Sequence, residues 1–231
     1  MTQLYLVRHG ENLANLTKEF SYRKVDYPLT AKGVLQAQQT AQHLQDKGIG
    51  AVYTSPLRRA HETAQHLADI LGQEVVVMEA FRELNVGDLE GMPPTEAAWA
   101  SDNEVLRAWR RGELETRFPG GENFLEMWRR VEAGFQQVVA DHPNDAVAIF
   151  AHGGVFASSV KALCPEIDLA AVLSQENHNC SISLIEAELC EGRLQGRLVY
   201  WAACDHVSGE AAEFVSGTPS REFFRNQQAR A

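Results

Sequence analysis

The sequence predicts an α/β fold: a three-layer sandwich with a mostly parallel central sheet, helices on both faces and a small cap insertion. Two observations carry this. Short apolar runs alternate with amphipathic stretches along most of the chain, the pattern of repeated βα units. Two of the runs also end alike: Leu4-Tyr5-Leu6-Val7 stops at Arg8-His9-Gly10, and Val147-Ala148-Ile149-Phe150-Ala151 stops at His152-Gly153-Gly154. Each reads as a buried strand followed by a tight exit at glycine. Ligands of open α/β sheets bind beyond the carboxyl ends of strands, so both endings fall where a ligand is expected.

The elements follow in order. Residues 3–8 form the first strand. Pro28-Leu29-Thr30-Ala31-Lys32-Gly33 opens a helix with Thr30 as N-cap, and Val34, Leu35, Ala37, Ala41 and Leu44 give its apolar stripe up to Lys47-Gly48. Residues 51–54 form a short second strand. Ser55 and Pro56 start the next helix, which runs through Ala60, Ala64, Leu67, Ala68 and Leu71 to Gly72. Residues 74–78 form a third strand. Residues 93–123 break the rhythm with Pro93-Pro94, scattered tryptophans and Pro119-Gly120-Gly121-Glu122. They read as a partly helical insertion over the active site. A helix over 124–139, a strand over 146–151, a helix over 155–163 and strands over 181–187 and 197–203, joined by a hairpin around Glu191-Gly192, complete one domain spanning 1–207. The polar tail, 208–231, is open to two readings, a docked helix or disorder.

Composition excludes several classes. A net charge of −10 over 231 residues argues against a general nucleic-acid or anionic-membrane binder, and 45% hydrophobic residues suffice for a substantial core. No apolar run approaches membrane-spanning length and the start carries no signal-peptide pattern. Cys164, Cys180, Cys190 and Cys204 are widely spaced without a CxxC, as in the reduced thiols of a cytoplasmic protein. His43, His61, His66, His142, His178 and His206 lack paired metal spacing and read as surface or capping residues. No cofactor and no metal are expected, because no carboxylate cluster suits Mg²⁺.

An Arg–His pair at a strand end suits an anion, and imidazole is also a nucleophile. Ser55-Pro56-Leu57-Arg58-Arg59-Ala60 adds arginine at a helix start, and Phe81-Arg82-Glu83-Leu84-Asn85-Val86-Gly87 adds a carboxylate in a loop. With these four segments in this order, residues 3 to 207 resemble the histidine phosphatase superfamily in its phosphoglycerate-mutase-like branch. The resemblance implies His9 as the nucleophile, which becomes phosphohistidine, and Arg8, Arg59 and a cationic His152 as the phosphate pocket. It implies Glu83 as general acid, which must hold its proton to donate it; burial or a nearby phosphate dianion favours this. Asn15 and Ser21 match positions that reach phosphate or substrate, and the backbone N–H groups of Gly153 and Gly154 are further candidates. Arg58, Glu11 and Glu90 are read as structural or solvated. Gly120-Gly121-Glu122 is read as holding the cap.

The expected activity is hydrolysis of a small phosphorylated metabolite, since an acidic surface repels polyanions. A cofactor-dependent phosphoglycerate mutase shares the same residues, but Val86 stands where a tyrosine is expected, and no lysine occurs between Glu83 and Arg110. Arg110-Arg111 either meets an acidic substrate group or is a solvated helix end. A non-catalytic phospho-ligand binder is the third reading. A homodimer is the family expectation, and no nucleic-acid or membrane partner is expected.

Overall fold

The computed structural model describes residues 1–228. Its strands are β1 (Thr2–Arg8), β2 (Ile49–Thr54), β3 (Val75–Val77), β4 (Ala146–Ala151), β5 (Ile182–Cys190) and β6 (Arg193–Ala203). Its helices are α1 (Leu13–Thr17), α2 (Ala31–Leu44), α3 (Arg58–Leu71), α4 (Glu96–Arg110), α5 (Phe124–Asp141), α6 (Gly153–Leu163), α7 (Leu169–Leu173) and α8 (Arg221–Gln228). The strands form one sheet in the order β3-β2-β4-β1-β5-β6. The first four are parallel; β5 runs antiparallel to β1, and β6 to β5.

Alternation along β1 explains the three layers. Leu4 and Leu6 enter the core built with α5 and α6, through Met127, Val131, Phe135, Val155 and Val160. Tyr5 and Val7 point the other way, into the core of α2 and α3 with Ala41, Leu44, Ala64 and Leu67. β1 and β4 are direct neighbours, with Arg8 opposite Ala151. The repeated strand–His–Gly ending thus has a spatial meaning: His9 and His152 leave adjacent parallel strands at the same edge.

Several element bounds differ from the sequence expectation. α3 begins at Arg58 rather than Ser55, because Ser55 forms a turn in which its hydroxyl accepts the Leu57 N–H at 3.2 Å. β5 and β6 are longer than expected, their polar ends having masked the alternation. They close at Glu191 (φ 50°) and Gly192 (φ 77°), the left-handed pair of a two-residue hairpin turn. α1 and α7 are five residues each, too short to show a periodic stripe.

Beyond residue 207 the chain returns along the domain. Ala211 is buried and its carbonyl accepts from the Gln36 side chain at 2.9 Å. Phe214 stacks on His178 with ring centroids 4.5 Å apart, and α8 follows. Positions 229–231 of the tail lie outside the described residues. Among the described residues no helix is long and apolar enough to cross a membrane.

One close approach fixes the loop that follows β1. Thr30 caps α2, accepting from Gly33 N–H at 3.0 Å, and its hydroxyl donates to the Glu11 carboxylate at 2.9 Å. Lys32 pairs with Glu11 at 2.8 Å. A Cβ at Gly33 would sit 2.1 Å from the Glu11 carbonyl oxygen, whereas one at Gly50 would meet nothing nearer than 3.9 Å. Gly33→Ala should therefore cost about 2 kcal/mol or more in urea unfolding, and Gly50→Ala less than about 1 kcal/mol. Equal losses would contradict this account of the loop.

Candidate functional site

A cavity of about 440 Å³ opens beyond the ends of β1 and β4. Arg8, His9, Asn15, Ser21, Arg59, Glu83 and Gly153 all line it. Two separate strand ends, the start of α3 and the loop after β3 are therefore brought together at one place.

His9 sits at the centre, 3% exposed. Its Nδ1 lies 2.7 Å from the Gly10 carbonyl oxygen, which can only accept, so Nδ1 carries the proton. Nε2 is then the unprotonated nitrogen, and it accepts from Arg59 Nε at 3.1 Å. Burial first, then the charges of Arg59 and Arg8, hold the imidazole well below its usual pKa, so it is neutral. The partner fixing its tautomer is thus a backbone carbonyl one residue away, which no side-chain pattern could reveal.

Arg59 is the best anchored cation. Besides His9 it reaches the Ser21 hydroxyl at 2.8 Å and the Ser21 carbonyl at 3.0 Å, with Asp26 3.7 Å away. Burial lowers its pKa to about 10, which leaves it charged at neutral pH. Ser21 thus holds Arg59 while lining the cavity. Arg8, 9% exposed, donates to the Asn177 carbonyl; its buried Nε has no protein partner. Arg58 is exposed and pairs with Glu62 at 2.6 Å.

Asn15 spends its side-chain oxygen internally, accepting from Asn12 N–H at 3.0 Å and Asn179 Nδ2 at 3.1 Å. That leaves its amide NH₂ as a donor at the cavity wall. Glu83 accepts from its own Leu84 N–H at 2.9 Å, from Gly154 N–H at 3.1 Å and from Val155 N–H at 2.8 Å. It thus docks on the first turn of α6. The Gly154 N–H is committed to Glu83, which corrects the expectation that it would face the anion.

His152 requires a second correction. It is completely buried, with its ring 5.3 Å from that of His9. Burial, followed by the charges of Arg59, His9, Arg8 and Arg130, pushes its pKa well below the usual histidine value, so it is neutral rather than cationic. The Ser55 hydroxyl lies 2.7 Å from Nε2, and Nδ1 is buried with no partner. Because Ser55 already accepts from Leu57, it is suited to donate to Nε2, which leaves Nδ1–H free for an anion.

Sequence reasoning missed several cavity residues. Lys18 is buried, lowered in pKa by burial and by Arg8, and donates to the Ser216 carbonyl. Trp99, Asp102 and Leu106 come from α4, Glu176 and Asn177 from the loop before β5, and Gly217 and Thr218 from the returning chain. Spacing on α4 (99, 102, 106 on one helical face) was the only available signal. Arg110 and Arg111 do not line this cavity: Arg110 borders a neighbouring one, and Arg111 pairs with Glu104 and Glu113. Among the described residues no three His, Cys, Asp or Glu side chains gather as metal ligands.

Two buried neutral histidines have a thermodynamic consequence. Both have folded pKa values below the ordinary 6.5, so the unfolded chain binds protons that the folded chain does not. Their contribution is complete above pH 6.5 and is lost as pH falls towards the folded values, by up to about 1.4 kcal/mol per pH unit for each group. Urea unfolding of wild type and His152→Asn between pH 7.5 and 5.5 should show the variant losing stability less steeply. Parallel slopes would contradict a neutral His152.

The sequence profile of the Histidine phosphatase superfamily (branch 1) matches residues 4–198. A relative called Uncharacterized phosphatase PhoE, from Bacillus subtilis (strain 168), is 34% identical over 209 residues, covering 90% of this chain and 98% of its own. Probable phosphoglycerate mutase GpmB of Yersinia enterocolitica serotype O:8 / biotype 1B is 32% identical over 189 residues, covering 80% and 85%. Among solved structures, mycobacterial glucosyl-3-phosphoglycerate phosphatase complexed with VO3 superposes with a TM-score of 0.73 at 26% identity, covering 87% of this chain and 99% of its own. Bacillus stearothermophilus YhfR gives 0.74 at 26%, covering 90% and 100%. With its two histidines on neighbouring strand ends and its profile match over most of its length, the chain belongs to the histidine phosphatase superfamily.

Proposed function

We propose that the protein is a metal-independent phosphomonoester hydrolase that works through a phosphohistidine on His9 and acts on a small phosphorylated metabolite in the cytoplasm. The observation that carries this reading is the state of His9: neutral, with Nδ1–H held by Gly10 and Nε2 at the cavity beside Arg59. In-line attack on phosphorus needs an unprotonated nitrogen facing fixed positive charge. The four unpaired cysteines suit the cytoplasmic placement.

The steps follow from the residues. His9 Nε2 attacks phosphorus and the bond to the ester oxygen breaks. Arg8 and Arg59 stabilise the charge on the phosphoryl oxygens, aided by the Asn15 amide and His152 Nδ1–H. Glu83 supplies the proton taken up by the leaving oxygen. Water then attacks the phosphohistidine, the N–P bond breaks, Glu83 recovers the proton, and inorganic phosphate leaves. The guanidinium groups provide the charge that a metal ion would otherwise supply.

A mutase reading has one finding in its favour, the names of the GpmB relatives. Against it, Arg110 and Arg111 lie off the cavity, so the cap brings no cation to grip a substrate carboxylate.

The decisive assay is inorganic phosphate release, in EDTA, from a panel including an activated aryl ester and 3-phosphoglycerate. Wild type should release phosphate and His9→Ala should not; substantial release by the variant would remove His9 as nucleophile, and no release by wild type would remove the hydrolase reading. Glu83→Gln should lower kcat by about 10²–10⁴-fold on alkyl esters and much less on the aryl ester, whose leaving group needs little protonation. Equal losses would show that Glu83 is not the acid.

A further inference from the structure

Asp102 is a carboxyl of the cavity that the proposed chemistry does not use. It lies on α4 and is 7% exposed, and it lines the cavity with Trp99 and Leu106 of the same helical face. Leu84 and Val86 add to the apolar surroundings on that side. Among the described residues no hydrogen bond or ion pair satisfies its carboxyl; the groups whose charge it feels are Glu83, which opposes its ionisation, and Arg110, which favours it more weakly. Burial and Glu83 push it up to about 7. With no protein partner and a place in the cavity lining, the carboxyl is available to whatever molecule occupies the cavity.

Its position says which part of that molecule. The phosphoryl group belongs at Arg8, His9 and Arg59, at the ends of the strands. Glu83 stands where the ester oxygen must leave. Asp102 lines the same cavity from α4, an element that holds none of these groups, so it faces a part of the substrate other than the phosphoryl group. A carboxyl oxygen there accepts a hydrogen bond, and an acceptor in otherwise apolar surroundings rewards a donor and penalises its absence.

We propose that Asp102 selects the alcohol half of the substrate by accepting a hydrogen bond from a further hydroxyl on it, so that the preferred substrates are phosphomonoesters of polyols, sugars or hydroxy acids rather than of plain alkyl alcohols. This rests on the hydrolase reading for its name as a substrate, but the contact itself is one of binding. The acceptor, not the charge, carries the preference, so asparagine should preserve most of it.

The test compares glycerol 1-phosphate with propyl phosphate, which lacks the hydroxyls. The ratio of their kcat/KM values is measured for wild type, Asp102→Ala and Asp102→Asn, and the ratio of their Kd values by calorimetry in the His9→Ala background with and without each change. Wild type should favour the glycerol ester by about tenfold or more, Asp102→Ala should erase that preference, and Asp102→Asn should restore it to within about threefold of wild type. A ratio that Asp102→Ala leaves unmoved, in turnover and in binding alike, overturns the proposal. If wild type hydrolyses neither ester but the Kd ratio still collapses in Asp102→Ala, the selectivity stands and the hydrolase reading falls. Asparagine is nearly isosteric, so a preference retained there and lost in alanine separates recognition from misfolding.

Discussion

Two guanidinium groups are buried beside a neutral imidazole, and the rest of the site is arranged to make that tolerable. Burial of Arg59 and Arg8 opposes their charge, and each also repels the other. The compensation is local. Ser21 takes two of the Arg59 donors, Asp26 stands near, and the Asn177 carbonyl takes one from Arg8. His9 responds by staying neutral, which leaves a lone pair on Nε2. A chain with a net charge of −10 therefore concentrates positive charge at one edge of one sheet, where an anion finds it against low-dielectric walls.

Carboxylates that do not touch the reacting atoms hold this arrangement in place. Glu90 is buried, which alone would raise its pKa, but the N–H groups of Tyr22, Arg23, Lys24 and Val25 all donate to one of its oxygens at 2.5–3.2 Å and lower it instead. That fan of donors fixes the loop whose Ser21 orients Arg59. Glu122 performs the matching task across the cavity: it accepts from Asn85 N–H at 2.8 Å and pairs with Arg130, whose guanidinium also gathers the carbonyls of Ala80, Arg82 and Glu83. The loop bearing Glu83 is thereby stitched to α5. Both carboxylates act through backbone, so their effect on chemistry is one of positioning.

The sheet and the reactive cluster were legible because they rest on strong local signals. Apolar strands ending in His-Gly, and arginine at a helix start, follow from residue type and order. What stayed hidden rests on backbone atoms, on burial or on distance in sequence. The Gly10 carbonyl that sets the His9 tautomer is backbone and carries no residue signature. The neutrality of His152 comes from complete burial among other positive charges, which composition cannot show. Lys18, Glu176 and Gly217 meet at the cavity from three remote segments, and Asp102 is recognisable only once α4 is known to cross it. The five-residue helices α1 and α7 have no period long enough to read.

The two halves of the cavity are built by different means, and this assigns them different freedoms. The half with His9 and the two arginines hangs from β1, β4 and the start of α3, where a shift of any residue disturbs a paired strand or a buried charge. The other half includes α4, which brings Asp102 to the cavity along a face that also packs into the core through Ala98, Val105 and Trp109. Changes at positions 99, 102 and 106 act on the packing of α4, where Trp99 lies against Phe20 and donates to the Lys18 carbonyl, rather than on the pairing of a strand. Tight constraint at the sheet edge and greater latitude at the helix are thus consequences of where each half is anchored.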